Sequence, residues 1–335
     1  MTAETCAART GRSRRPRKAI ERTDNAAEVA FMERRQQSVR AKGGSQVMLD
    51  RLLSYAQQVL GPADLVTDCS WGHQMSVVLR LRDAQGGRWF LKSHRDRERY
   101  DAEVTAYRAW VPSLGSLAPR LRGADGSLPA IILSEVPGEP APWPAADPRP
   151  LSASQRSAEQ AVQRAAGEAL RRFHEAQALP WRDFGAAKLA EFDLLKPSAA
   201  GLLGARELGR ARSAVADLVS VGPAGRVPCH RDFTPRNWLV GDGMVRIVDF
   251  EWSRLDVWVS DLARLHIGVW DGRPDLREAF LAGYGRDLSD TDRRVLHGCA
   301  VLTATWLVVR ARETHQPKFE DASRTALRRL IGAPG

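Results

Sequence analysis

Eight residues from His230 to Asn237, together with Asp249, combine side chains that a phosphoryl-transfer reaction uses. Such a reaction needs a bound triphosphate, a Mg²⁺ ion that neutralises its charge, and a carboxylate beside the acceptor hydroxyl. We predict that Asp232 accepts or orients the hydroxyl proton. We predict that Asn237 and Asp249, which ends an apolar strand at 245–248, bind the metal, because Mg²⁺ prefers oxygen ligands.

The spacing of these residues resembles the catalytic region of the aminoglycoside phosphotransferase and choline kinase family. The matching features are a His-x-Asp-x-x-x-x-Asn spacing, a proline at position 235, an apolar strand at 238–240 and an Asp-Phe pair 12 residues after Asn237. Several residues at fixed offsets make this match more specific than His-Arg-Asp alone. The resemblance implies a protein-kinase-like α+β fold, with a small antiparallel-sheet N-terminal lobe and a larger helical C-terminal lobe. It also implies ATP or GTP as the nucleotide and Mg²⁺ as the metal.

A kinase of this kind requires a lysine on the third strand and a glutamate on the following helix, and the sequence offers both. Lys92 ends an apolar strand, and Glu103 borders the helix face that carries Tyr100 and Tyr107. The resemblance then implies that Lys92, paired with Glu103, contacts the α- and β-phosphates. Three nearby carboxylates are alternatives that we assign to a helix cap and a solvated face: Asp96, Glu98 and Asp101.

Two further nucleotide contacts follow from the resemblance. The segment from Cys69 to Ser76 stands where a phosphate-covering loop is expected, but it has a single glycine, Gly72, instead of a glycine-rich motif. Backbone amides near Gly72 are the predicted phosphate contacts. Between the lobes, Glu135 and Val136 are the predicted backbone partners of the adenine or guanine edge, although an ordinary strand end has the same composition.

The resemblance also implies supporting residues around the catalytic loop. His230 is expected to brace this loop through backbone hydrogen bonds, and Asp261 to cap a helix and support the active-site loops. We expect Phe250 to pack in the core. Glu251 either orients the metal or faces solvent, and His174 is expected to be a satisfied interface histidine.

Sequence patterns divide the chain into four parts. Residues 1–47 are basic and poor in large apolar residues, which predicts a disordered tail. Residues 48–136 are predicted to form the nucleotide-binding lobe. The segment 137–150 holds six prolines, so it is a predicted hinge or linker. Residues 151–335 are predicted to form the helical lobe with the catalytic loop and the substrate pocket.

Periodicity predicts the elements within these parts. The N-terminal lobe should contain a short helix through Leu52 and Leu60, a hairpin that turns at 83–87, and one longer helix. Its predicted strands are 75–83, 87–93, 118–123 and 129–136, and its longer helix is 96–110. The C-terminal lobe should be helical at 154–178, 186–219, 260–268, 273–283 and 289–313, with a β-rich stretch at 227–249.

The charge distribution limits the function classes. The net charge is +10, but residues 1–47 carry 11 basic and five acidic residues, so the remainder is only mildly basic. We therefore expect no nucleic-acid partner for the folded body. One interpretation is a passive tail, or upstream sequence included by error, with the true start of the protein near Met48. The alternative is a segment that contacts nucleic acid or a membrane surface.

Other sequence features bear on localisation. The four cysteines are too scattered for a metal site or a disulfide framework. No apolar run approaches the ~20 residues that cross a bilayer, and no apolar segment follows the basic N-terminus as in a secretory signal. The sequence therefore predicts a cytoplasmic protein without a membrane partner. It does not predict the oligomeric state.

The acceptor substrate stays open at this stage. A cationic aminoglycoside or peptide antibiotic would require an acidic pocket. Six carboxylates of the C-terminal lobe are candidates: Asp256, Asp271, Asp275, Glu278, Glu320 and Asp321. They are interleaved with Trp258, Trp270 and Trp306 and with several arginines. The prediction is a small-molecule kinase for an aminoglycoside or other antibiotic. The alternatives are a kinase of an amino sugar, a choline-like compound or another metabolite alcohol, a protein kinase, and an inactive nucleotide-binding module.

Overall fold

The computed structural model describes residues 43–70 and 76–332. The chain divides after Asp50 into two units, and the elements discussed below lie in the second, 51–335, unless stated. Helix α1 spans Gly43–Leu60, so it begins five residues inside the predicted tail. At its start the Gln46 side chain donates a hydrogen bond to Asp50 one turn later, at 2.8 Å. The rest of the predicted tail, 1–42, lies outside the described residues.

A five-stranded antiparallel sheet follows α1. Its strands are β1 Ala63–Asp68, β2 Ser76–Asp83, β3 Arg88–His94, β4 Leu121–Asp125 and β5 Ala130–Ser134, in the order β1-β2-β3-β5-β4. The predicted hairpin turn is confirmed: Asp83 accepts hydrogen bonds from the amides of Gln85 and Gly87. Sequence patterns missed β1, because this edge strand is largely exposed and lacks apolar alternation.

Helix α2, Arg97–Ala109, crosses between β3 and β4. Asp96 caps its N-terminus by accepting from the Glu98 amide at 2.9 Å, as expected from its sequence position. The predicted face with Tyr100 and Tyr107 is buried, together with Val104. A 3-10 helix at Val111–Leu117 then leads to β4, so this strand begins three residues later than predicted.

The proline-rich segment contributes one short edge strand. This strand, β6 Glu139–Pro140, pairs with β9 Trp238–Gly241, which also pairs with β10 Met244–Ile247. Proline is tolerated there because an edge strand does not need every amide to donate. The β9–β10 turn is Asp242-Gly243, with positive φ at both residues, 54° and 70°. A third sheet joins β7 Leu179–Trp181, β8 Ala224–Cys229 and β11 Arg254–Asp256.

Helices dominate the remainder of the chain. They are α3 Ala153–His174, α4 Phe184–Ala200, α5 Ala205–Ala216, α6 Pro274–Tyr284, α7 Asp290–Glu313 and α8 Pro317–Leu330. The prediction of one helix at 186–219 was wrong: the chain breaks between Gly201 and Gly204, where α5 begins with Gly204 as its N-cap. Helix α8 was missed, although Pro317 at its first turn is a helix-start signal.

The predicted helix at 260–268 is also different in the structure. It is a 3-10 helix at Trp258–Leu262 followed by a π-helical turn at Leu265–Val269. One continuous apolar core joins α2, α3, the strands around the catalytic loop and α7. This core fixes the loops that carry the candidate site. Across the described residues, no helix has the combination of length and apolarity needed for a membrane crossing.

Candidate active site

The loop from His230 to Asn237 connects β8 to β9, and its backbone is held by Asp261. The Asp261 carboxylate accepts hydrogen bonds from the amides of His230 and Arg231, at 2.8 and 2.6 Å, and lies 3.0 Å from His174 Nε2. Arg231 has a φ of 67°, an unfavourable conformation for a residue with a side chain. Asp261 therefore stabilises a strained loop. It lies inside a 3-10 helix and does not cap one, so that part of the prediction was wrong.

His230 is a structural histidine in this arrangement. Its Nε2 lies 3.0 Å from the carbonyl oxygen of Val248 and donates to it, while Nδ1 accepts from the Asp232 amide at 3.3 Å. Burial lowers the pKa of His230 despite the nearby Asp261 charge, which favours this neutral tautomer. The side chain thus links the catalytic loop to the segment that carries Asp249. Phe250, fully buried, packs against the His230 ring as expected.

Asp232 lines a cavity and has three donors around its carboxylate. Arg264 contacts Oδ1, Arg236 contacts Oδ2, and the Asn237 amide donates to Oδ2 at 3.1 Å. A carboxylate offers about four lone-pair positions. These contacts leave one position on Oδ1 for a further donor, such as a substrate hydroxyl.

Lys92 and Glu103 form the contact that the sequence predicts. Lys92 Nζ lies 2.9 Å from Glu103 and 2.5 Å from Asp249 Oδ1. Lys92 also lies 3.1 Å from Glu251, whose carboxylate is mostly buried and contacts Arg99 at 3.2 Å. The expectation that Glu251 faces solvent was wrong, because its carboxylate joins the lysine cluster. Its role in orienting a metal stays a prediction.

The electrostatics of the cluster keep its central pair charged. Burial favours neutral Lys92, but the charges of Asp249, Glu103 and Glu251 outweigh it and raise the pKa of Lys92 well above its usual range. Burial likewise favours protonated Asp249, but the Lys92 charge dominates and lowers the pKa of Asp249 to about 2. Asp249 also has a φ of 69°, so its backbone holds the carboxylate in a strained conformation.

The predicted metal ligands have a donor set that fits Mg²⁺. The Asn237 side-chain NH₂ group donates to the carbonyl and the carboxylate of Asp232, at 2.8 and 3.1 Å, so its oxygen remains as an acceptor. Asp249 Oδ1 contacts Lys92, and within the described residues Oδ2 has no hydrogen-bond partner. The Val248 amide donates to the Asn237 carbonyl at 3.1 Å and ties the two segments together. Oxygen atoms of this kind are hard ligands.

The remaining predicted nucleotide contacts have different outcomes. The Glu135 amide donates to the Arg88 carbonyl at 3.0 Å, and the Glu135 side chain forms a bidentate ion pair with Arg80. In the described part of the chain the Val136 amide has no partner, so it is available to a ligand. Gly72 lies outside the described residues. The roles of all these residues stay predictions.

The six carboxylates considered for a cation-binding pocket do not line the cavity beside Asp232. Asp256 is buried against Lys188 and Arg231. Three others pair with arginines: Asp271, Asp275 and Glu320. Glu278 and Asp321 are exposed. Of the three tryptophans, Trp306 lines the cavity, and Trp258 and Trp270 are buried.

Sequence reasoning missed several residues that contact the candidate catalytic groups. Arg236 and Arg264 meet Asp232, and His94 Nε2 lies 2.7 Å from Glu103. Arg236 lies four residues after Asp232 in the same loop, so the sequence places the two side chains near each other. Arg264 comes from a distant segment that only the tertiary fold brings to Asp232.

Comparisons with known proteins identify the family and the fold of the chain. The model of the phosphotransferase enzyme family matches residues 67–299. No curated protein matches the chain by sequence. A solved choline/ethanolamine kinase family protein from Mesorhizobium loti is 19% identical, with a TM-score of 0.57 over 84% of this chain and 96% of its own.

Two solved phosphotransferases share the fold. A macrolide 2'-phosphotransferase type I is 16% identical, with a TM-score of 0.59 over 88% of this chain and 99% of its own. A mutant aminoglycoside phosphotransferase APH(4)-Ia, solved with AMP-PNP and hygromycin B, is 13% identical, with a TM-score of 0.62 over 83% of this chain and 97% of its own. The expected protein-kinase-like α+β fold is confirmed, and the chain belongs to the phosphotransferase enzyme family.

Proposed function

We propose that this protein is a small-molecule kinase that transfers the γ-phosphoryl group of ATP to a hydroxyl group of its substrate. The observation that carries the proposal is the approach of Lys92 to both Glu103 and Asp249, at 2.9 and 2.5 Å. A cation between these carboxylates can bind phosphate oxygens while Asp249 turns toward a metal. ATP is the nucleotide we expect, and GTP is the alternative.

Asp232 is the proposed catalytic base. Its free position on Oδ1 would accept the proton of the acceptor hydroxyl, while Asn237 and Arg264 fix the orientation of the carboxylate. Orientation matters because most of the rate enhancement in phosphoryl transfer comes from positioning and electrostatics. Asp261 contributes indirectly by holding the loop that carries Asp232.

The nucleotide side of the site uses different residues. Asn237 and Asp249 would hold Mg²⁺, which neutralises triphosphate charge when it is bound. Lys92 would contact the phosphates, and the Val136 amide, with the Glu135 backbone, would bind the base edge. Gly72 belongs to the proposed phosphate-covering loop.

The acceptor is a small hydroxyl-bearing molecule. An aminoglycoside or other antibiotic and a metabolite alcohol are the two classes to compare, since the related solved enzymes act on both kinds of compound by name. We place the reaction in the cytoplasm, where ATP is abundant and where the buried thiols of Cys229 and Cys299 would stay reduced.

The experiment combines nucleotide binding with turnover. Purified protein should gain thermal stability from ATP with Mg²⁺ and should form ADP when an acceptor is present. The acceptor panel contains an aminoglycoside, a cyclic-peptide antibiotic, an amino sugar and choline. Mass spectrometry of the acceptor then reports the added phosphoryl group. Failure of ATP to stabilise the protein would contradict the proposal, and binding without transfer to any acceptor would favour an inactive nucleotide-binding module.

A further inference from the structure

The cavity beside Asp232 is lined by more basic than acidic side chains, which bears on the kind of acceptor that it can bind. Its volume is about 160 Å³, more than ten times the ~10–15 Å³ that one water requires, so it can admit a small organic molecule. Two acidic and four basic residues line it: Glu191, Asp232, Arg231, Arg236, Arg254 and Arg264. The cations therefore outnumber the carboxylates at the cavity wall.

The residues beneath the wall do not cancel this excess. Asp256, fully buried, accepts from both Lys188 and Arg231, each at 2.6 Å. Lys188 and Asp256 together add one charge of each sign. Within the described residues the cavity wall and the Lys188–Asp256 pair behind it thus hold five cations and three carboxylates.

Glu191 illustrates the imbalance. Its carboxylate lies 2.5 Å from Arg254, 3.2 Å from Lys188 and 3.3 Å from Arg231. One acidic group is thereby shared among three cations. Burial favours the neutral acid, but these cations lower the pKa of Glu191, so it is ionised at neutral pH and is already satisfied. It has little capacity left for the ammonium groups of a cationic substrate.

The guanidinium of Arg264 is a further cation at this wall. It is largely buried, and its ion-pair partner in the described structure is Asp232. Burial lowers the pKa of Arg264 to about 10, because the charged guanidinium is removed from water. An anion beside the guanidinium groups of this wall would accept charge-assisted hydrogen bonds from them.

Two tryptophans supply the other part of the cavity wall. The rings of Trp252 and Trp306 meet edge to face, with centroids 5.2 Å apart. Aromatic walls with a few polar groups are typical of small-molecule sites. Resting on the proposed kinase function, we propose that the acceptor is a hydroxyl compound that carries a carboxylate or phosphate group, which the arginines bind while its apolar face lies against the tryptophans.

A matched set of sugars tests this selectivity. Glucuronate and glucose 6-phosphate are anionic, glucose is neutral and glucosamine is cationic, and all four share one ring. Affinities would be measured by calorimetry on the full-length protein with Mg²⁺ and a non-hydrolysable ATP analogue. We expect at least one anionic sugar to bind about tenfold or more tightly than glucose, because charge-assisted hydrogen bonds to arginine are strong. Comparison of the two anionic sugars separates a carboxylate site from a phosphate site.

Arg254 is the informative residue because it lines the cavity without contacting Asp232. Arg254→Ala should lower the affinity for the preferred anionic sugar about tenfold more than the affinity for glucose, and Arg254→Lys should retain part of the preference. The matched control is Arg212→Ala. Arg212 is a half-exposed arginine that pairs with Asp193 at 2.7 Å and lies outside the cavity lining.

The outcomes separate this inference from the kinase proposal. Equal or tighter binding of glucose or glucosamine would overturn the anionic-acceptor inference. An equal loss for all four sugars in Arg254→Ala would overturn it too, since that pattern indicates a general structural role. Stabilisation by Mg²⁺ and ATP is measured on the same preparations. If that stabilisation is present, loss of anion selectivity refutes only the acceptor class; if it is absent, the kinase proposal fails.

Discussion

The two sides of the candidate site carry opposite charge. On the Lys92 side, Lys92 and Arg99 face three carboxylates, those of Glu103, Asp249 and Glu251. On the Asp232 side, five cations face three carboxylates. A carboxylate excess suits a divalent metal and a cation excess suits an anion. The difference supports our proposal that the metal and nucleotide bind on the Lys92 side and an anionic acceptor on the Asp232 side.

The largest expected effect separates chemistry from nucleotide binding. Asp232→Ala removes the proposed base, and we expect kcat to fall by about 10²–10⁴-fold, the usual range for a general base. The affinity for ATP with Mg²⁺ should change little, because Asp232 lies on the acceptor side. Steady-state ADP release and calorimetry measure the two quantities. A parallel loss of both would show that the two sides are not separate.

The Lys92 side can be tested by a double-mutant cycle. Lys92→Met and Glu103→Gln should each lower kcat/KM for ATP by about 10–100-fold, since an ion pair that positions a phosphate ligand is removed. The double variant should lose less than the product of the single losses, because Lys92 contacts Glu103 directly at 2.9 Å. Multiplicative losses would contradict a functional pair.

Asp261 tests whether the loop that carries Asp232 must be held in place for turnover. Asp261→Asn keeps one acceptor oxygen but replaces the other with an NH₂ group beside the amides of His230 and Arg231. We expect kcat to fall about tenfold, with KM for ATP within twofold. The kcat and KM values are compared with those of His174→Gln, which alters a neighbour of Asp261 without removing the carboxylate. A rise in the ATP KM alone would contradict this role.

Acid sensitivity should reflect the Lys92 side. Because the pKa of Asp249 is lowered to about 2, its pairing with Lys92 stabilises the folded state above the ordinary carboxylate pKa of about 3.9. This contribution is lost as the pH falls toward 2. Asp249→Asn should therefore flatten the decline in unfolding free energy between about pH 4 and 2, as measured by denaturant titrations. An unchanged slope would contradict the pairing.

The smallest expected effect concerns the N-terminal segment. Deletion of residues 1–42 removes most of the basic tail but leaves α1 intact. We expect kcat and KM for ATP to stay within twofold of the full-length values, because the proposed catalytic residues lie between Lys92 and Asp261. A loss of activity would mean that the tail contributes to the site.

Local spacing explains which parts of the fold and site could be predicted. The hairpin at Asp83, the cap at Asp96 and the contact of Lys92 with Glu103 follow from short-range patterns and from the family resemblance, and the structure contains all three. The break between α4 and α5 was missed, because glycine lowers helix stability by only about 1 kcal/mol and its effect depends on tertiary context.

The charge of the acceptor side could not be predicted from the sequence. Asp256 is an acidic residue in a mixed-charge segment, and only the fold reveals that Lys188 and Arg231 neutralise it in the core. Arg264 lies 32 residues after Asp232, at the start of a π-helical turn, and the fold brings the two side chains into contact. The amino-acid composition gives only the number of charged residues. The net charge of a pocket depends on which of them line it and which are already paired.

One calorimetric titration tests the division of the site most directly. ATP with Mg²⁺ is titrated into wild-type protein, Asp232→Ala and Asp249→Ala. We expect the wild type and Asp232→Ala to bind with Kd values within about threefold of each other. Asp249→Ala should bind at least about tenfold more weakly, since a metal ligand is lost. Equal affinities in all three proteins, or a weakening by Asp232→Ala as large as that by Asp249→Ala, would contradict the assignment of the nucleotide to the Lys92 side.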